Sequence, residues 1–171
     1  MAILLVQDIP FLVDDDVFEW ARNYRWHSRL KDSRFYAYHN TRRSGRNYRI
    51  GLHREVMLSS NNDGRIVDHI DGNTQDCRRE NLRVVSAKQS AHNTRAKRRH
   101  TSRFKGVRRS GVKGKWRATI KSNGKTHHLG SFASEEQAAL AYDAAARPIH
   151  GTYGRYNFPL PGERSALAPT D

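Results

Sequence analysis

A single cysteine, Cys77, stands in the whole chain. That excludes a disulfide-stapled fold and any cysteine-rich zinc centre, and it suits a reducing compartment such as the cytoplasm. Long apolar runs are missing too. Ile3 to Val6 is far too short to span a bilayer and has no basic segment before it, so neither a secretory leader nor a membrane anchor is expected. Acidic residues are scarce, with 17 Asp and Glu against 31 Lys and Arg, a formal net charge of +14. So one-signed an excess in 171 residues points to a polyanionic partner. Without an amphipathic lipid-binding helix, nucleic acid ranks ahead of a membrane surface. Hydrophobic residues at 36% allow modest cores rather than one large one, so one ordinary domain or two small ones are expected.

The most informative stretch runs from Ile66 to Asn93. Two apolar residues lead into an adjacent acid and imidazole, Asp68 and His69, followed by the turn Asp71-Gly72-Asn73. A polar loop reaches Glu80, Asn81-Leu82-Arg83-Val84-Val85 begins a second apolar run, and Ser86 caps a short polar helix carrying Gln89, Ser90, His92 and Asn93. A strand, loop and helix with a carboxylate beside a histidine can hold one hard divalent cation and one general base. Aspartate offers the cation an anionic oxygen, and imidazole titrates near neutrality, so it can deprotonate water.

These residues resemble the HNH endonuclease motif, in its phage and intron homing branch. The resemblance implies that His69 is the general base, Asp68 a metal ligand, and Asn81 the middle asparagine that fixes the loop. The third motif position, nine residues after the middle Asn, is Ser90 where the family has His or Asn, so either Ser90 or Asn93, one helical turn on, is expected as second ligand. His92 points about 160° away from Ser90 on a helix and is a near-site residue at most. His53 occupies the place of a His-Arg pair just ahead of the motif in this group, and is expected near the site as a structural or phosphate-contacting residue. The implied ion is Mg²⁺, with Mn²⁺ the other choice.

Ahead of this stretch, residues 1 to 65 read as short strands and turns. Ala2 to Val6 and Pro10 to Val13 are strand-like, and Asp14-Asp15-Asp16 opens a short helix through Val17, Phe18, Trp20 and Ala21. Adjacent side chains point apart, so the three acids are expected to favour the helix N-terminus rather than gather an ion. Phe18, Trp20, Tyr24 and Trp26 should form a small core. Phe35 to Tyr38 and Tyr48 to Ile50 read as a hairpin closed by a loop over 40–47, and Leu52 to Leu58 as a short helix.

Residues 95 to 109, RAKRRHTSRFKGVRR, contain eight Lys or Arg and no acid. Such a run is expected to lie along phosphates, with Arg95, Arg98, Arg99 and Arg103 as contacts. Three period-two runs follow, at 104–109, 115–121 and 125–130, separated by Gly-containing turns of which Asn123-Gly124 is a strong hairpin signal. Ser134-Glu-Glu-Gln137 is a capping box for a helix reaching about Arg147, with Ala138, Ala141, Tyr142 and Ala145 on one face.

This part is similar to the AP2 domain, a DNA-binding module of plant transcription factors also found on phage HNH nucleases. The matching residues are Lys105-Gly106-Val107-Arg108, Gly114-Lys115-Trp116, Leu129-Gly130 with Phe132, Ala141-Tyr142-Asp143 and Asn157-Phe158-Pro159. The resemblance implies a sheet face on DNA bearing Arg108, Trp116, Arg117, Thr119 and Lys121. Arg109, Lys105, Lys115 and His128 are further contacts, His128 standing where plant domains have a DNA-facing Trp. The expected architecture is α+β: a ββα-metal nuclease domain at 1–94 and a basic linker at 95–102. A three-stranded antiparallel sheet with one helix follows at 103–159, then a disordered tail at 160–171. The expected function is a homing-type endonuclease that nicks double-stranded DNA, as a monomer or weak dimer, in the cytoplasm of a phage-infected or prophage-carrying bacterium. The alternative is a DNA-binding regulator whose nuclease centre has decayed through Ser90.

Overall fold

The computed structural model describes residues 1–58, 65–96 and 101–167, in two compact units, 1–87 and 88–171. Arg98 and Arg99 therefore lie outside the described residues. No helix among the described residues is long and apolar enough to cross a membrane.

The first unit begins with a hairpin of β1 (Ala2–Val6) and β2 (Ile9–Val13), whose alternation buries Leu4, Val6, Phe11 and Val13 on one side. Helix α1 (Asp15–Ala21) adds Val17 and Ala21 to that core. Its N-cap residue, Asp14, makes no capping bond through its side chain. Asp14 and Asp16 instead hold the Arg79 guanidinium, with Asp14 also accepting from the Arg79 backbone N–H at 3.0 Å, which ties the helix start to the loop that follows His69. A three-stranded antiparallel sheet comes next, β3 (His27–Lys31), β4 (Arg34–Arg43) and β5 (Arg46–Gly51), with β4 in the middle. Strand β3 was missing from the sequence reading, and the loop expected at 40–47 is instead a two-residue turn, because the register pairs Arg43 with Arg46. Ser44 and Gly45 have φ of 46° and 75°, the twist-matched geometry of a two-residue hairpin turn. Helix α2 (Leu52–Leu58) leads toward β6 (Ile66–His69), which pairs antiparallel with β7 (Leu82–Val85). Val67 and Leu82 form a small core with Val56 and Met57 from α2.

The contact boundary falls after Ala87, where the sequence reading placed it at 94, so almost all of α3 (Ala87–His92) belongs to the second unit. There the His92 ring stacks on His150 at 4.0 Å, and its carbonyl accepts from the Lys105 ammonium at 2.8 Å. The rest is a three-stranded antiparallel sheet with a helix against one face. Strand β9 (Trp116–Ser122) lies between β8 (Val107–Arg109) and β10 (Lys125–Phe132), and α4 (Glu135–His150) covers it. The Ser134 hydroxyl accepts from the Gln137 N–H at 3.1 Å, the capping geometry that the sequence indicates. Asn123 and Gly124 make the turn between β9 and β10 with φ of 50° and 77°.

Asp143, fully buried, accepts from the backbone N–H groups of Asn157 and Phe158, and Asn157 in turn bonds both backbone groups of Lys105. The Tyr-Asp and Asn-Phe-Pro signatures are thus one clamp that fastens the chain end to the helix and to the entry into β8. Residues 160–167, expected to be disordered, are built into the fold: β12 (Arg164–Ser165) pairs in parallel with β11 (Arg155–Tyr156), and Ala166 is fully buried. Arg147 anchors this turn through Glu163 at 3.0 Å, which a count of Pro and Gly does not reveal.

Candidate nuclease centre and nucleic-acid face

Strand pairing positions the acid and the imidazole. Asp68 and His69 are adjacent on β6 and so point to opposite faces. His69 goes inward and is 5% exposed, while Asp68 sits opposite Arg83, whose guanidinium reaches its carboxylate at 3.2 Å. Around His69 stand the Cys77 sulfur at 3.8 Å from Nε2, the His53 ring at 5.1 Å between centroids, and Tyr36 at 6.4 Å. Burial pulls the His69 pKa below the ordinary imidazole value, opposed by Asp68, Asp71 and Asp76 and reinforced by Arg34. Burial, with His69 and Arg54 adding to it, depresses His53 to about 3. Both rings are therefore neutral at pH 7, and a neutral imidazole is the form that accepts a proton. The Cys77 thiol, pushed up to about 12 by burial, stays protonated.

The loop between β6 and β7 is held by its own polar side chains. Asp71 accepts from the Asn73 N–H at 2.7 Å, Asn73 from Gln75 at 3.1 Å, and Asp76 from Arg78 at 3.2 Å. Asn81, 7% exposed, closes the loop: its carboxamide oxygen accepts from the Asp71 N–H at 3.1 Å and its NH₂ donates to the Asp76 carbonyl at 3.0 Å. These bonds fix the backbone immediately after His69.

Among the described residues no group of three or more His, Cys, Asp or Glu side chains is gathered for a metal ion. The donor chemistry still fits a hard cation of the Mg²⁺ kind, which keeps several waters and takes one or two carboxylates together with substrate phosphate oxygens. Asp68 is such a carboxylate. Asn93 is occupied differently: its carboxamide oxygen accepts from Arg155 Nε and from Arg164, each at 2.9 Å. Two guanidinium groups on one oxygen disfavour a further cation there, so the metal role expected for Asn93 gives way to a structural one in the second unit.

In the second unit the register of β9 sorts the expected DNA contacts. Arg108 pairs with Arg117 and His128 with Thr119, so these four, with Lys121, share the face turned away from α4. Trp116 does not. It is in phase with Ala118 and Ile120, and packs with Phe104 and Val107 on the core side. Arg109 pairs with Trp116 and lies over its ring at 4.9 Å, so it too leaves the open face. Lys105 is the other correction: its half-buried ammonium is turned to the His92 carbonyl, and burial with nearby Arg155 lowers its pKa to about 8. Lys115 is exposed in the turn before β9, and Arg103 is exposed over the Phe104 ring. Arg95 lines a cavity of about 260 Å³ together with Arg108 and Thr119. The sequence reading also missed Tyr36, Arg34, Cys77 and Arg83 around Asp68 and His69. Only Arg83 left a signal, since pairing the two short strands puts it opposite Asp68.

A match to the HNH endonuclease family covers residues 60–92, and a match to the AP2 domain covers 102–152. An HNH segment followed by a DNA-binding AP2 domain makes this a protein of the DNA-binding nuclease class. Protein 3.8 of Escherichia phage T7 is 33% identical over 93 residues, 54% of this chain and 76% of that protein, and the chain belongs to the same family. An HNH endonuclease of Acanthamoeba polyphaga mimivirus is 33% identical over 91 residues, 53% of this chain and 46% of that protein. Dehydration-responsive element-binding protein 2E of Arabidopsis thaliana is 46% identical over 67 residues, 33% of this chain and 27% of that protein.

Proposed function

We propose that the chain is a metal-dependent, homing-type endonuclease that nicks duplex DNA, held on its target by the open face of the AP2 sheet. The observation carrying this reading is a buried, neutral His69 on a strand whose preceding residue is a carboxylate, with Asn81 fixing the loop behind it.

Asp68 would hold the divalent ion, and Arg83 orients that carboxylate from the neighbouring strand. Such an ion would supply Lewis-acid stabilisation of the negative charge that builds up on the phosphate. His69 takes a proton from water as the water oxygen attacks phosphorus in line with the bond to O3′, which then breaks. His53, neutral down to low pH, packs beside His69 and restricts its ring without competing for the proton. One such centre cuts one strand, so a monomer leaves a nick. Arg108, Arg117, Thr119, Lys121 and His128 supply the donors toward the duplex, with Arg95 and Arg103 on phosphates. The setting is the cytoplasm of a phage-infected or prophage-carrying bacterium.

The test is nicking of supercoiled plasmid carrying phage or host DNA, with Mg²⁺ or Mn²⁺ against EDTA, beside a gel shift on the same DNA. Metal-dependent nicking that disappears in His69→Ala while binding persists supports the reading. A second reading, a DNA-binding protein without cleavage, is favoured by Ser90 at the third motif position and by the two arginines on Asn93. Binding without nicking in any metal would select it, and Ser90→Asn is then the variant expected to gain activity.

A further inference from the structure

The first unit carries a basic surface that the open AP2 face does not account for. Strands β3, β4 and β5 contain no Asp or Glu. Register separates their two faces. Phe35, Ala37, His39 and Ile50 turn to the core. On the other side stand Arg29, Lys31, Arg34, Tyr36, Tyr38 and Arg49, the last with its guanidinium 4.3 Å above the Tyr38 ring. This face runs directly into the candidate nuclease centre. Tyr36 meets His53 at 6.2 Å and His69 at 6.4 Å, and Arg34 is close enough to weigh on the His69 pKa.

The sheet also changes width. Strand β3 pairs only with residues 34–38 of β4, whereas β5 pairs with 38–43. Past Tyr38, β4 and β5 therefore form a two-stranded ribbon that ends in the tight turn Ser44-Gly45. Along it Asn40, Arg42, Asn47 and Arg49 are exposed and share the basic face. Two strands about 4.8 Å apart fit a major groove about 12 Å wide, which admits a ribbon of this kind. The two parallel donors of arginine match guanine O6 and N7, and the donor–acceptor pair of asparagine matches adenine N7 and N6.

We propose that the β4–β5 ribbon enters the major groove of duplex DNA beside the cleavage point, and that the basic face at its base lays the scissile strand against His69. The nuclease unit then reads sequence through its own ribbon, independently of the AP2 sheet. This rests on the endonuclease reading for where the strand is delivered. Binding itself is measured separately from cleavage.

The test uses the full chain in EDTA, so that binding is scored without cutting, with hydroxyl-radical footprinting on a duplex target and titrations at several salt concentrations. Two variants are compared, Arg42→Ala with Arg49→Ala, and Arg42→Lys with Arg49→Lys. The alanine pair should erase one segment of the footprint, leave the AP2 segment in place, and flatten the slope of log affinity against log salt by roughly 2. The lysine pair should keep the slope and lose about tenfold discrimination against base changes inside that segment. An unchanged footprint and slope in the alanine pair would overturn the proposal. Absence of nicking by the unaltered chain in metal, with the footprint intact, would count against the endonuclease reading and not against the ribbon.

Discussion

Gly106 offers the sharpest test of how the second unit is packed. It has φ +78, and a Cβ built on it would lie 1.9 Å from Tyr142 Cδ2, 2.3 Å from Cε2 and 2.7 Å from Cγ. That ring is 4% exposed and belongs to the core under β9 and α4, so it cannot swing aside into solvent. Two other glycines separate the contributions. Gly114 has φ +76 with open space around it, and Gly111 has open space and no positive φ. Left-handed backbone costs a side chain about 1–2 kcal/mol. Overpacking adds about 1–3 kcal/mol, and the stiffer unfolded chain returns about 0.4–1 kcal/mol. Gly111→Ala should therefore be neutral or slightly stabilising, and Gly114→Ala should cost at most about 1.6 kcal/mol. Gly106→Ala should cost about 2–4 kcal/mol, a large share of an ordinary domain's stability. Hydrogen exchange of the β9 amides in the full chain reads this locally, with protection in Gly106→Ala expected to fall by about thirtyfold to a thousandfold. Equal losses for Gly106→Ala and Gly114→Ala would refute the argument that the Tyr142 ring, rather than the backbone angle, forbids the substitution.

Acid should weaken the first unit through its paired imidazoles. The His53 pKa is depressed in the folded chain, to about 3, so the unfolded chain binds the proton first. The stability is intact above pH 6.5 and falls as the pH drops toward 3, by about 2 kcal/mol at pH 5. Urea titrations across that range should show the slope, and His53→Phe should flatten it. Nicking should likewise decline only below about pH 6.5, because the His69 pKa is lowered and the neutral ring is the active form. Gly51→Ala places a Cβ 2.7 Å from His53 Cε1, so the ring must shift against His69. Its nicking rate should fall about tenfold or more while gel-shift affinity is unchanged. Asp143→Asn puts an NH₂ where two backbone donors and the Asn157 amide converge. It should cost about 1–3 kcal/mol, read as a lowered midpoint for the second unit in denaturant.

Much of this molecule is legible in local sequence because local sequence decides it. Asn123-Gly124 forces a hairpin, Ser134 with Gln137 starts α4, and an acid-imidazole pair followed by an asparagine-led strand marks the HNH segment. A charge of +14 announces a polyanion whatever the fold. Other features answer to partners far along the chain. Whether Trp116 meets DNA or the core turns on one residue of register between β8, β9 and β10, and a single-residue phase difference moves a side chain to the opposite face. Lys105 looks like any other cation of the basic run until its backbone is gripped by Asn157, 52 residues away, and its ammonium is turned to His92. Asn93 passes for a spare ligand until Arg155 and Arg164 close on it. The setting of His69 is assembled from β4, α2 and the loop after β6, which bring Tyr36, His53 and Cys77 together. Composition and short-range pattern thus determined the class of partner, the order of the segments and the position of the candidate base. Which cations face solvent, and which neighbours keep that base neutral, was decided by tertiary structure, because burial and electrostatics depend on what the rest of the chain packs against each group.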